Sequence, residues 1–274
     1  MKRLRSALCA MLLLGATAAG AGDAPTAPIR FLLTFDDGPS LWDSRPTERI
    51  LAQLADNDIT PGIKALFFLQ TEHAAHGGVP EGEALIRREC AAGHVVAVHS
   101  GAVRGHIPHT ALDDTELAAT LQQGRSHLDA LCGHAAKVVR PPDWAFNTRT
   151  LALYRSLGLD MLLSDVEAND GKIYGWIISL RRRSHLHTEL ARVRAARDAG
   201  TLATVDGVMP VVVTFHDTNP YTAEHMGEYL HILTEAAQAA GLPLADPPFY
   251  TDGAALERAA WARRGDGGYA RKSW

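Results

Sequence analysis

Apolar, β-branched runs alternate along this chain with segments whose apolar residues recur every three or four positions. The first kind reads as buried strands and the second as amphipathic helices. Strands are predicted at Ile29–Thr34, Lys64–Leu69, Val95–His99, Lys137–Val139, Asp160–Ser164 and Val211–Thr214. Helices are predicted at Pro46–Ala55, Glu81–Ala92, Asp113–Leu131, Thr148–Leu157, His187–Asp198 and Thr222–Ala240. Gly93, Gly133, Gly158, Gly200 and Gly241 follow five of these helices as C-caps. Six strand–helix units with no linker between them predict one α/β domain built on a parallel sheet, either open or closed as a barrel.

Residues able to do chemistry fall at the ends of those strands. Asp36 and Asp37 follow the first, His99 ends the third and Arg140 follows the fourth. Asp165, Glu167 and Asp170 follow the fifth, and His216 and Asp217 the last. In a parallel barrel all strand C-termini open onto one face, where active sites form. Adjacent ionised carboxylates such as Asp36 and Asp37 repel, so a cation or a division of roles must compensate them. Read alone, Asp36-Asp37-Gly38-Pro39 is equally an ordinary turn before a helix. Asp37 and His99 with one more histidine, His106 or His109, would give a divalent metal such as zinc three protein ligands and leave room for water. Arg140 opens a stiff turn, Arg140-Pro141-Pro142-Asp143-Trp144, and a fixed guanidinium there can orient a carboxylate. His216 ends a buried strand and suits a general acid near neutral pH.

With 274 residues and 46% hydrophobic content the chain can bury a barrel-sized core. Lys2, Arg3 and Arg5 precede the apolar run Ala7 to Leu14, and Ala19-Gly20-Ala21 offers a small-residue cleavage site. Residues 1–21 are therefore expected to be a signal peptide, and residues 22–274 an exported domain, periplasmic or extracellular. No later run is long enough to span a bilayer, so no integral membrane segment is expected after signal removal. Loss of 1–21 removes three basic residues and no acids from a chain of formal charge −4. Arg181-Arg182-Arg183 is the sole basic cluster and lacks interleaved aromatics, which argues against a nucleic-acid partner. Cys90 and Cys132 both lie near predicted helix ends, and an exported compartment permits the disulfide predicted between them.

The motifs, taken together, resemble the polysaccharide deacetylases of carbohydrate esterase family 4, from about Ile29 to Leu244. Thr34-Phe35-Asp36-Asp37-Gly38-Pro39 matches that family's first motif at every position. Ala65 to Leu69 is similar to its second strand, Gly93 to Ser100 to the approach to its histidine motif, and Arg140-Pro141-Pro142 to its third motif. Ser164 to Asp170 resembles the fourth and Phe215-His216-Asp217 the fifth. The resemblance implies a distorted (β/α) barrel and a metal-dependent hydrolase that removes acetyl groups from an N-acetylated glycan. It implies Asp36 as general base, held by Arg140 with Asp170 behind the arginine, and His216 as general acid. Asp37 and His99 would be metal ligands, and the Asp143 N–H would face the oxyanion beside Trp144.

The chain departs from the family at several positions. Val103 stands where a second histidine is usual. Counting back from Leu112 selects His106 as the third ligand after a short bulge, with His109 as second choice. Trp144 replaces a usual glycine, Asp143 an aromatic residue, Gly171 a tryptophan and Thr214 a leucine. The acetyl pocket is thus altered, with Trp144, Tyr174 or Trp176 as replacement surface. Peptidoglycan, chitin-like oligomers and poly-N-acetylglucosamine all remain open as substrates. O-deacetylation of an acetylated glycan and a non-catalytic glycan-binding role are the alternatives.

Overall fold

The computed structural model describes residues 27–170 and 179–265. The expected signal peptide, Gly171, Tyr174 and Trp176 lie outside the described residues. The central strand β1 (Ile29–Asp36) runs parallel to β7 (Met209–His216) over its whole length, from Ile29 opposite Met209 to Asp36 opposite His216. Beyond β1 lie β2 (Leu66–Gln70), β3 (Val95–Ser100), β4 (Val138–Val139) and β5 (Asp160–Met161), and beyond β7 lies β6 (Val166–Glu167). All these pairs are parallel, as strand–helix alternation dictates. A further strand, β8 (Leu244–Phe249), pairs with the lower part of β1 at Ile29 and Phe31, while the upper part, Thr34 to Asp36, pairs with β2.

Strands β5 and β6 follow one another in the chain yet sit at opposite ends of the sheet. The segment between them crosses the gap. Leu162 N–H donates to Val139 O of β4, and Asp165 N–H donates to Val212 O of β7. The sheet therefore curls into a barrel whose last seam is spanned by connecting chain instead of a strand ladder. Asp165, expected among the chemical residues, is structural. One of its oxygens accepts from Val212 N–H at 2.8 Å and the other from buried Arg263 at 2.5 Å.

Period-two alternation sorts the strand side chains. Phe31, Leu33, Phe35, Phe67, Val96, Val211 and Val213 face outward and pack under the helices. Leu32, Leu66, Phe68, Ala97 and Val212 share the barrel interior. Helices α1 (Pro46–Ala55), α2 (Pro80–Ala91), α3 (Asp114–Cys132), α4 (Thr148–Ser156), α5 (Arg182–Asp198) and α6 (Pro220–Ala239) match the predicted ones, α5 beginning earlier than expected. Helix α7 (Gly253–Ala262), absent from the prediction, brings Leu256, Ala259 and Ala260 into the interior cluster from below. The predicted disulfide is present: Cys90 and Cys132 join the ends of α2 and α3, with Cα atoms 5.7 Å apart. Among the described residues no helix is long and apolar enough to cross a membrane.

Candidate active site

Followed upward, the interior register of each strand turns from apolar to polar. Leu32 gives way to Thr34 and Asp36, Phe68 to Gln70, Ala97 to His99, and Val212 to Thr214 and His216. One period-two pattern thus makes both the floor of the barrel and the site at its mouth.

Asp36 is the last residue of β1 and points with that register. Asp37 leaves the ladder at φ 76°, so the two adjacent carboxylates diverge. Gly38 follows because no side chain fits there: a Cβ would lie 2.2 Å from Asp217 Oδ2. Asp36 Oδ1 accepts from Arg140 Nη1 at 2.9 Å. Arg140 is fully buried, and three further N–H groups of its guanidinium are directed as well. Nη1 also donates to Thr34 Oγ1 at 2.6 Å, Nε to Leu162 O at 3.1 Å and Nη2 to Leu163 O at 3.3 Å. Arg140 therefore grips both the carboxylate and the seam-crossing segment. Its guanidinium lies 4.4 Å from the Phe68 ring centre and 5.0 Å from that of Trp144. Asp143 and Trp144 both have positive φ, at 53° and 55°, which turns the chain sharply over the guanidinium.

Asp37, His99 and His106 come together. Asp37 Oδ1 is 3.2 Å from His99 Nε2 and 3.2 Å from His106 Nε2. The three ligand atoms lie within 4.8 Å of one another. His99 Nδ1 is 2.8 Å from Arg140 O, and a carbonyl can only accept, so Nδ1 carries the proton. In the neutral ring Nε2 is then a bare acceptor facing a second acceptor. Asp37 Oδ1 is buried and makes no hydrogen bond. A divalent cation fits this convergence of lone pairs, and the outer Nδ1 hydrogen bond is the usual way of orienting a ligating histidine. Burial alone would raise the Asp37 carboxyl, but His99, His216 and His106 hold it well below the usual range.

His106 arrives on a loop that Gly105 turns at φ 82°, pinned by the Ser100 hydroxyl donating to Gly105 O at 2.7 Å. Val103, at the family's usual histidine position, is exposed to solvent. His109 lies outside the cluster. It starts a short 3₁₀ turn, is fully buried, and its Nδ1 is 2.7 Å from Tyr154 Oη. Burial pushes its pKa down to about 3, so the ring stays neutral.

Asp170 does not stand behind Arg140. His216 Nδ1–H donates to Asp170 Oδ1 at 2.8 Å, and the His216 N–H donates to Asp170 Oδ2 at 2.8 Å. Thr222 Oγ1 donates to the same oxygen at 2.6 Å, and Asn219 Nδ2 to Asp170 O at 2.8 Å. The reason is sheet order: β6 lies against β7, with Glu167 opposite Thr214, so the loop after β6 lands on the end of β7. Burial opposes charge on His216, but Asp170, with Asp37 and Asp36, pushes its pKa up to about 9. Asp217 is a buttress. Its Oδ2 accepts from Thr47 Oγ1 at 2.7 Å, and burial pushes its carboxyl upward. Of the supporting hydroxyls, Thr34 opens the first motif, whereas Thr47 and Thr222 carried no signal in the sequence beyond their closeness to the motifs.

Similarity in sequence and in fold relates this chain to known proteins. A family model described as polysaccharide deacetylase matches residues 23–162, ending before Asp170 and His216. A chitin deacetylase of Pestalotiopsis sp. is 28% identical over 145 residues, which is 53% of this chain and 44% of that protein. This match therefore spans less than half of the fungal relative. A peptidoglycan-N-acetylglucosamine deacetylase of Bacillus cereus is 28% identical over 222 residues, 77% of this chain and 70% of that one. Among solved structures, the chitin deacetylase of Colletotrichum lindemuthianum superposes with a TM-score of 0.61 at 21% identity, covering 80% of this chain and 86% of that one.

Proposed function

This chain belongs to the polysaccharide deacetylase family, and on that premise we propose that it is a metal-dependent hydrolase that removes acetyl groups from N-acetylated sugars of a glycan. One observation carries the reading: the Asp37–His99–His106 cluster, the Arg140-held Asp36 and the Asp170-held His216 meet at one mouth of the barrel. Both curated relatives are named as deacetylases of N-acetylated glycans, which supports the same class of substrate.

Asp37, His99 and His106 would hold the cation. When bound, it would supply Lewis-acid polarisation and a more acidic water. The remaining work belongs to the chain. Asp36 takes the proton of the attacking water, and Arg140 keeps its carboxylate in place. His216, held through Nδ1 by Asp170, presents Nε2 and gives its proton to the leaving amine. The Asp143 N–H is assigned to the oxyanion, with Trp144 closing the same turn. The two-histidine, one-carboxylate set suits zinc. The Cys90–Cys132 disulfide supports an oxidising compartment and hence export to the periplasm or beyond.

The test is acetate release from N-acetylated oligomers, chelated and then reloaded with single divalent ions, with metal counted by elemental analysis. His106→Ala should empty the site and His109→Ala should not. The opposite pattern removes the ligand assignment. Release from O-acetylated glycans alone would establish the ester reading, and binding without any release the non-catalytic one.

A further inference from the structure

Beside the cluster the cleft carries a histidine that this mechanism leaves unused. His76 lies in the turn between β2 and α2, where the backbone is folded on itself. Gly77 N–H donates to Gln70 O at 2.9 Å and Gly78 N–H to His73 O at 3.0 Å. A Cβ on Gly82 would lie 1.8 Å from His76 O, so the turn is closed tightly against the start of α2. The ring is fixed as well as the backbone. His76 Nδ1 is 2.9 Å from Pro39 O, two residues beyond Asp37. Since that carbonyl only accepts, Nδ1 carries the proton. Burial holds the His76 pKa below its ordinary value, which keeps the ring neutral and Nε2 a bare acceptor.

The ring lines a cleft of about 370 Å³ together with Asp37, Trp42, His106, His216 and Asn219. The other polar groups there are largely committed. Asn219 Nδ2 donates to Asp170 O and its Oδ1 accepts from Tyr221 N–H. Gln70 Nε2 donates to Asp37 O at 3.1 Å. Asp37 Oδ1 faces His99 and His106. His76 Nε2 makes no hydrogen bond among the described residues. An oriented acceptor in a cleft of this kind matches a ligand rich in hydroxyl donors.

We propose that His76 is a substrate-binding residue, its Nε2 accepting a hydroxyl proton of the N-acetylhexosamine chain and so seating the sugar beside the Asp37–His99–His106 cluster. This rests on the proposed deacetylase reading and adds to it a contact that fixes sugar orientation without entering the acetyl-transfer chemistry.

The experiment compares wild type with His76→Phe, which keeps a ring but no acceptor, and His76→Gln, which restores an acceptor oxygen. The probes are an N-acetylated chitin tetramer and 4-nitrophenyl acetate, with metal content measured throughout. One net hydrogen bond corresponds to about a 3- to 10-fold effect. His76→Phe should raise KM for the tetramer by that factor, leaving kcat, 4-nitrophenyl acetate hydrolysis and metal content near wild type. His76→Gln should recover most of the loss. An unchanged KM in His76→Phe, or equal loss in both variants, overturns the proposal. Should the variants not fold, tetramers with single hydroxyls replaced by hydrogen test the wild-type protein. One position must lose the same factor, and no loss at any position overturns it. If wild type releases no acetate with any metal, the deacetylase reading fails by itself. Calorimetric tetramer binding then decides on His76: a matching rise in Kd sustains the contact, and unchanged or absent binding removes it.

Discussion

Two buried carboxylate–cation pairs stand side by side at the barrel mouth, one member of each, Asp36 and His216, ending strands that hold them opposite each other in register. Asp36 pairs with Arg140 and Asp170 with His216, and both carboxylates are almost wholly buried. The division of labour is reversed between them. In the first pair the carboxylate meets the reaction in the proposed mechanism, and a permanently charged guanidinium holds it. In the second the imidazole meets the reaction, and a permanently buried carboxylate holds it. A base needs a neighbour that never gives up its own proton, and arginine supplies that. An acid must stay protonated to neutral pH and beyond, and Asp170 supplies that by pushing His216 up to about 9.

The comparison breaks most plainly when each working group is removed. Asp36→Asn should lower amide turnover by about 10²- to 10⁴-fold with metal content and fold retained. His216→Ala should cost a comparable factor, larger on an amide than on an activated ester, because a poor amine leaving group needs the proton more. Single-turnover acetate release from both substrates reads this, and near-wild-type amide cleavage by either variant would undo the acid–base assignment.

Removing the holders should separate the pairs. Arg140→Met strands Asp36 and frees the carbonyls of Leu162 and Leu163, and loss of one partner of a buried pair costs about 3–5 kcal/mol. Chemical denaturation should show that loss of stability. Asp170→Asn removes the main support of the His216 charge. The alkaline limb of kcat should then move from near 9 toward the ordinary histidine value, as a pH–rate profile would show.

The smallest expected effect is on stability alone. The folded pKa of His216 lies above its ordinary 6.5, so its pair with Asp170 contributes stability fully present below that value. This contribution is lost as pH rises through about 9. Denaturation midpoints across pH 6 to 10 should fall in wild type and fall less in Asp170→Asn.

Elements governed by local pattern were legible in the sequence. Helix α1 begins at Pro46 and ends at Ala55 as its apolar stripe and leading proline predict. Strand β8 was not, because Pro247 and Pro248 within it remove ladder donors and, with Asp246, imitate a loop. The site divides in the same way. Asp36, Asp37, His99 and His216 end apolar strands and can be read in place. His106 sits on a loop whose length only the family resemblance could count. The partner of Asp170 depended on which strands are neighbours, and the family resemblance pointed to Arg140 where sheet order dictates His216.

The seam carries a consequence for how this protein can change. Arg140 fastens the segment that spans the barrel's last gap with the same guanidinium that holds Asp36. Architecture and chemistry therefore share one residue, and selection cannot relax on either separately. On the proposed reading, a descendant that gave up hydrolysis and kept only glycan recognition could lose His216 or Asp37 early, since neither spans the seam. It would keep Arg140 long after the reaction had gone, so an arginine surviving at this position testifies to an intact barrel and not to a working one.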